Sequence, residues 1–388
     1  MSQLPSFDDV TLEQLRGIGG LKWSRHPEAI GAFVAEMDFG TAPAIVAAVH
    51  EAVDLGLFGY LPDELATRMA AAWCGWALER YGWGVPVEWV RPLADVMAGL
   101  QAAIEHFSAP GSAVILPTPA YMPVVTAPLA LGRAVTQVPM ALENGRHVYD
   151  LDALDAAFAA GGGLLVLCNP HNPIGRVLEP AEMRAVSEVV QRHGGRVFAD
   201  EIHAPLVYDG HRHVPYASLS ATTAGHTVTA VSASKAWNLP GMKCAQLVLS
   251  NGPDAERWAQ VGARFEHGAA NLGVVANVAA YTEGGLWLDR VLAYLEDNRR
   301  LLGELIAERI PSIRYTPPEG TYLAWLDCRG LGLGAHPAEF FLDRAGVALT
   351  EGVACGDIGA GFARYNFATP RRILEQTVEQ MAAALVRR

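Results

Sequence analysis

Lys235 stands in Ser232-Ala233-Ser234-Lys235, directly after an apolar run, with Asn238, Gly241 and Lys243 downstream. A lysine so placed suits covalent chemistry on a carbonyl. Its amine attacks an aldehyde only when neutral, and partial burial lowers its pKa from about 10.4. Ser232, Ser234 and the second cation, Lys243, could hold a phosphate dianion beside it. Upstream, Asp200 ends a second apolar run in Phe198-Ala199-Asp200-Glu201-Ile202-His203. A buried carboxylate there could keep a pyridinium nitrogen protonated, which makes the ring an electron sink. His203 could hydrogen-bond a phenolic oxygen on the same ring. Asn172 follows a third apolar run, in the Asn169-Pro170-His171-Asn172-Pro173-Ile174-Gly175 turn. The prolines and glycine make that turn rigid. They present an amide that can donate to a phenolate or to a substrate carboxylate.

Other candidates carry less weight alone. The helix start Val96-Met97-Ala98-Gly99-Leu100-Gln101 has small residues, so the backbone N–H groups of Met97 and Ala98 could approach a phosphate. Tyr121 could stack on a flat ring. Arg364 could grip an α-carboxylate with two parallel hydrogen bonds. Taken singly, each of these residues also fits an ordinary role: a loop lysine, a helix-capping aspartate, a turn without a ligand, a packing tyrosine.

The elements that must position them are legible. Val114–Leu116, Leu164–Leu167, Val197–Ala199, Val228–Val231 and Leu247–Leu249 read as strands apolar on both faces, which fits a sheet covered by helices on each side. Met183, Val186, Val189 and Val190 mark a helix that ends at Gly194-Gly195. Ile45, Val46, Val49 and Val53 mark an earlier one, ended by Gly56. This alternation predicts an α/β fold with a mainly parallel sheet. After about residue 286 the pattern becomes a long amphipathic helix to Pro311, a mixed strand–helix region, and a last helix from about Pro370.

The chain has 388 residues, about half of them hydrophobic, enough for one large and one small domain. A net charge of −12, with no Lys/Arg run, argues against a nucleic-acid partner. No apolar stretch nears the roughly 20 residues of a membrane span. The start, MSQLPSFDDVTLEQL, lacks the features of a signal peptide. The five cysteines are scattered, with no CxxC pair, and read as reduced cytosolic thiols with no metal site.

The Asn, Asp and Lys candidates each follow an apolar strand, and ligands of open α/β sheets bind at strand carboxyl ends. As an ordered set, Asn172-Pro173-x-Gly175, Asp200-x-x-His203, Ser232-x-Ser234-Lys235 with Lys243, and Arg364 resemble the fold-type I pyridoxal-phosphate (PLP) enzymes of the class I/II aminotransferase superfamily. The resemblance covers nearly the whole chain. It implies an aminotransferase-like, three-layer α/β/α large domain over residues 43–286. A smaller α+β domain is then formed by residues 1–42 and 287–388. It implies that Lys235 carries PLP as a Schiff base, that Asp200 pairs the pyridinium, and that Asn172 and His203 contact the phenolate. It further implies that Arg364 holds the substrate carboxylate, that Tyr121 stacks on the ring, and that Tyr60 reaches the phosphate of the partner in a homodimer. Within the superfamily the chain is most similar to the MalY/PatB-type carbon–sulfur β-lyases. The markers are Ala35-Glu36-Met37-Asp38-Phe39, Asn169-Pro170-His171-Asn172-Pro173, Asp200-Glu201-Ile202-His203 and Gly320-Thr321-Tyr322-Leu323-Ala324-Trp325-Leu326-Asp327. His203 stands where aminotransferases have a tyrosine, and residues 96–98 offer no hydroxyl. The branch implies a cytoplasmic enzyme of sulfur amino-acid metabolism and methionine biosynthesis, acting on an amino-acid substrate such as cystathionine. A transaminase is the alternative, and a regulator built on the same fold is a third reading.

Overall fold

The computed structural model describes residues 6–143 and 145–387; residues 1–5, the head of the segment read as lacking a signal peptide, lie outside the described residues. Seven strands form the main sheet, in the order Val90–Leu93, Ala245–Leu249, Thr227–Val231, Arg196–Asp200, Gly162–Cys168, Ala113–Thr118, Val135–Pro139. The five from Thr227–Val231 outward pair in parallel, while Ala245–Leu249 runs antiparallel to both its neighbours. The sheet is mainly parallel, as the apolar runs predict.

Strand residues alternate between two buried layers, because successive side chains point to opposite faces. Val114, Leu116, Leu164, Val166, Phe198 and Val228 pack with Leu100, Ile104 and Trp258. Ile115, Leu165, Leu167, Val197 and Ala199 pack with Leu154, Met183, Val186 and Val190 on the other face. Each large apolar side chain buried in this way contributes about 1.5–3 kcal/mol. The periodic helices appear as Pro180–Arg192 and Pro43–Asp54. In the second, Ile45 is buried but Val46 and Val53 are exposed, so its apolar stripe is wider than the face the chain covers.

A second, antiparallel sheet runs Arg314–Tyr315, Leu323–Asp327, Phe362–Asn366, Thr350–Glu351. The helices Gly285–Arg309 and Arg371–Val386 pack against each other beside it. Near the N-terminus, Ile30–Gly31 pairs in parallel with Val347–Ala348, so the start of the chain is woven into its last third. Among the described residues no helix is long and apolar enough to cross a membrane. The five cysteines form no disulfide.

Candidate active site

The parallel strands end together at one edge of the main sheet, and the candidates gather there. Asp200 is the last residue of its strand. Asn172 lies four residues beyond Cys168, and Lys235 four beyond Val231. The antiparallel strand Ala245–Leu249 explains how Lys243 arrives: its start, not its end, lies at this edge. The strand Val90–Leu93 ends there as well and feeds the helix Val96–His106, whose first turn holds Met97 and Ala98. Asp95 caps that helix by accepting from Ala98 N at 2.9 Å and meets Lys243 Nζ at 3.0 Å. Lys243 is therefore ion-paired rather than free. Ser232 is buried and its hydroxyl donates to Cys244 O at 2.7 Å while accepting from Ser234 N at 3.0 Å.

Arg364 comes from the second sheet and is 2% exposed. It donates to Asn172 Oδ1 at 3.1 Å, Phe33 O at 2.7 Å and Thr350 Oγ1 at 3.2 Å. Its Nε is buried without a partner. All of these acceptors are neutral, and among the described residues no carboxylate pairs with it. The Asn172 turn is held by Gly175, at φ 69°, where an added Cβ would sit 2.2 Å from Pro318 Cβ.

Asp200 is buried, and the only hydrogen bond to its carboxylate among the described residues comes from Ile202 N at 3.2 Å. Burial pushes its pKa up to about 6, against the Ile202 bond and Lys235, which lower it. Half-buried Lys235 donates to Ala35 O at 3.0 Å and forms no ion pair among the described residues. Burial, then the Arg364 guanidinium, pushes its pKa down to about 8, against Glu36 and Asp200. His203 is buried with Nδ1 unpartnered. Burial, then Lys235 and Arg364, hold its pKa well below the ordinary range, so it is neutral. Tyr121 lies within the field of Arg364, Asp200, Asp95 and Lys243, and burial raises its pKa.

Among the described residues, Asp200, Lys235 and Arg364 thus lie within one another's field without an ion pair, which marks a candidate binding site. The donor set fits PLP. It offers a carboxylate, an amine near neutrality, a guanidinium without an anion and an orphaned imidazole nitrogen. Tyr60 is not brought to this cluster within one chain. It is 93% exposed, and its carbonyl accepts from Asn271 Nδ2 at 3.5 Å.

The sequence reading missed a main-chain component. Ala35 O accepts from Tyr322 Oη at 2.9 Å as well as from Lys235. Phe33 O serves Arg364. Ala35-Glu36-Met37-Asp38-Phe39 stands out in the sequence only as a marker, because carbonyl oxygens leave no trace in residue types.

The model of the aminotransferase class I and II family matches residues 35–381. The chain is 39% identical to Cystathionine beta-lyase of Corynebacterium glutamicum, over 96% of this chain and 99% of that one. It is 32% identical to Cystathionine beta-lyase PatB of Bacillus subtilis (strain 168), over 96% and 98%. Among solved structures, cystalysin from Treponema denticola, which contains a pyridoxal 5'-phosphate cofactor, superposes with a TM-score of 0.92 at 28% identity, covering 99% and 100%. The chain belongs to the class I and II aminotransferase family, in the group of its cystathionine β-lyases.

Proposed function

We propose that this chain is a PLP-dependent carbon–sulfur β-lyase that converts L-cystathionine or a related cysteine S-conjugate into a thiol, pyruvate and ammonia. The observation that carries the reading is the meeting of Lys235, Asp200 and Arg364, with no ion pair to any of them among the described residues, in a chain this similar to a cystathionine β-lyase. Asp200 would face the pyridine nitrogen, Asn172 and His203 the phenolic oxygen, and Tyr121 the ring face. Met97 N, Ala98 N, Ser232, Ser234 and Lys243 would hold the phosphate. Lys243 would leave Asp95 for it, and Ser232 would turn its hydroxyl from Cys244 O.

Bound there, PLP supplies a carbonyl that links to the substrate's amino group and a ring that withdraws electrons from its α-carbon. Arg364 grips the α-carboxylate and fixes the substrate's orientation. Lys235, with a pKa near 8, has a neutral fraction at physiological pH and takes the α-proton. The carbon–sulfur bond at the β-carbon then breaks, and the sulfur leaves as a thiolate, a far weaker base than an alkoxide. Water completes the balance: cystathionine plus water gives homocysteine, pyruvate and ammonia. Purified enzyme given L-cystathionine should release pyruvate and homocysteine in equal amounts with no 2-oxo acid present. Amino transfer to 2-oxoglutarate, with no pyruvate from cystathionine or any cysteine S-conjugate, would make it a transaminase instead.

We further propose a homodimer acting in the cytoplasm, in sulfur amino-acid metabolism that feeds methionine biosynthesis. Support comes from Tyr60 and Phe58, 93% and 70% exposed, beside a cleft of about 1030 Å³ lined also by Leu61, Arg91, Glu266 and Asn271. Exposed aromatic residues at such a cleft suit a protein interface. Sedimentation should give twice the chain mass, and Tyr60→Phe should weaken PLP binding about tenfold through one lost charge-assisted hydrogen bond. A fully active monomer would refute the shared site.

A further inference from the structure

The segment Phe33–Asp38 supplies main-chain oxygens to both Arg364 and Lys235. Phe33 O accepts from Arg364 and Ala35 O from Lys235 and Tyr322. Val34 O and Glu36 O accept from the two sides of Asn366 Nδ2, each at 2.6 Å. Such a strap helps only if it is itself held still.

Asp38, at its end, is 4% exposed and both its oxygens are engaged. Oδ2 meets Lys22 Nζ at 2.8 Å, and Oδ1 accepts from Trp23 Nε1 at 2.9 Å. Lys22 Nζ also reaches Glu36 O at 3.3 Å. Lys22 and Trp23 stand on the short helix Leu21–Ser24, which is fixed in turn: Trp23 packs with Leu15, Ile30 and Ile373. Gly31 lies so close that a Cβ there would fall 2.1 Å from Lys22 O. From the other side, Asn238 closes on the strap. It accepts from Met37 N and donates to Met37 O, both at 2.9 Å.

A buried ion pair is a poor source of stability, since apolar residues of like volume usually do as well. Its strength is geometric: two charged hydrogen bonds fix the carboxylate, and with it the backbone. We propose that Asp38, clamped by Lys22 and Trp23, is a positioning residue of the reaction, acting through the Phe33–Asp38 strap on Arg364 and Lys235. The inference rests on the reading of those two residues as substrate and proton-transfer groups.

The test uses holoenzyme with Trp23→Phe, which removes one hydrogen bond and keeps an aromatic ring, and with Asp38→Asn, which removes the charge. L-Alanine, an amino acid with no β-leaving group, serves as the binding probe, read from the visible spectrum. In Trp23→Phe, the alanine dissociation constant and the KM for L-cystathionine should both rise about tenfold, the scale of one charged hydrogen bond, with PLP content unchanged and kcat less affected. Asp38→Asn should move both further in the same direction. Should Asp38→Asn not fold, Trp23→Phe decides alone. Variants that melt at lower temperature yet keep the wild-type KM and alanine affinity would reduce the clamp to a structural role and overturn the proposal. Arg364→Gln is measured alongside. If it too left alanine binding unchanged, the assignment of the substrate site itself would fall, and the clamp's role with it.

Discussion

Lys235→Ala should yield a folded protein that takes up PLP without the visible absorbance of a lysine-linked cofactor, and its turnover of cystathionine should fall on the order of 10⁴-fold or more. The chain holds only three lysines, Lys22, Lys235 and Lys243. Lys22 is buried in an ion pair with Asp38, and Lys243 is exposed and paired with Asp95. Lys235 forms no ion pair among the described residues; its amine donates to Ala35 O, and burial and then Arg364 push its pKa down to about 8. Borohydride reduction of the wild-type holoenzyme should therefore fix the cofactor to the peptide carrying Lys235 and to no other. A label on Lys243, or a variant with normal turnover, would move the chemistry to another residue.

Much of this was legible because the chemistry sits at strand ends. Strands buried on both faces announce themselves as apolar runs, and Asn172, Asp200 and Lys235 each follow one. What remained hidden depends on pairing over long distances. Ala245–Leu249 reads as a strand, but nothing in its residues tells that it runs antiparallel and so delivers Lys243 to the site edge. The strand Val90–Leu93 is only four residues long with a proline inside, a weak pattern for a strand. Lys22 and Asp38 look like solvated charges in sequence. In the fold both are buried and meet at 2.8 Å, a pairing that nothing in their residue types announces. Ser232 fits a phosphate contact by type, yet its hydroxyl is directed at a main-chain oxygen that no sequence pattern reveals. Tyr60 is exposed, so nothing within one chain reveals the phosphate contact that the resemblance implies for it.

Asp200→Asn should separate stability from activity. Without cofactor, the Asp200 carboxylate is buried with one backbone hydrogen bond and, among the described residues, no cation paired to it, and burial pushes its pKa up to about 6 from 3.8. A carboxyl with its folded pKa raised binds protons more tightly folded than unfolded. It costs nothing below its ordinary pKa, and the cost grows as pH climbs to about 6 and is constant above. A rise of about two units is roughly 3 kcal/mol. Asparagine has no charge to bury, so the cofactor-free variant should be more stable than the cofactor-free wild type at pH 7.5, and the gain should shrink at pH 5. The holoenzyme should behave in the opposite way. The amide cannot hold the pyridine nitrogen protonated, so the ring loses its strength as an electron sink, and turnover should drop on the order of 10³-fold. The phosphate contacts are untouched, so PLP should be retained. Melting curves of both forms at the two pH values, with steady-state rates, check each half. A cofactor-free variant no more stable than wild type would mean that the Asp200 carboxylate is not strained by burial. Near-normal turnover would mean that a different group faces the ring nitrogen.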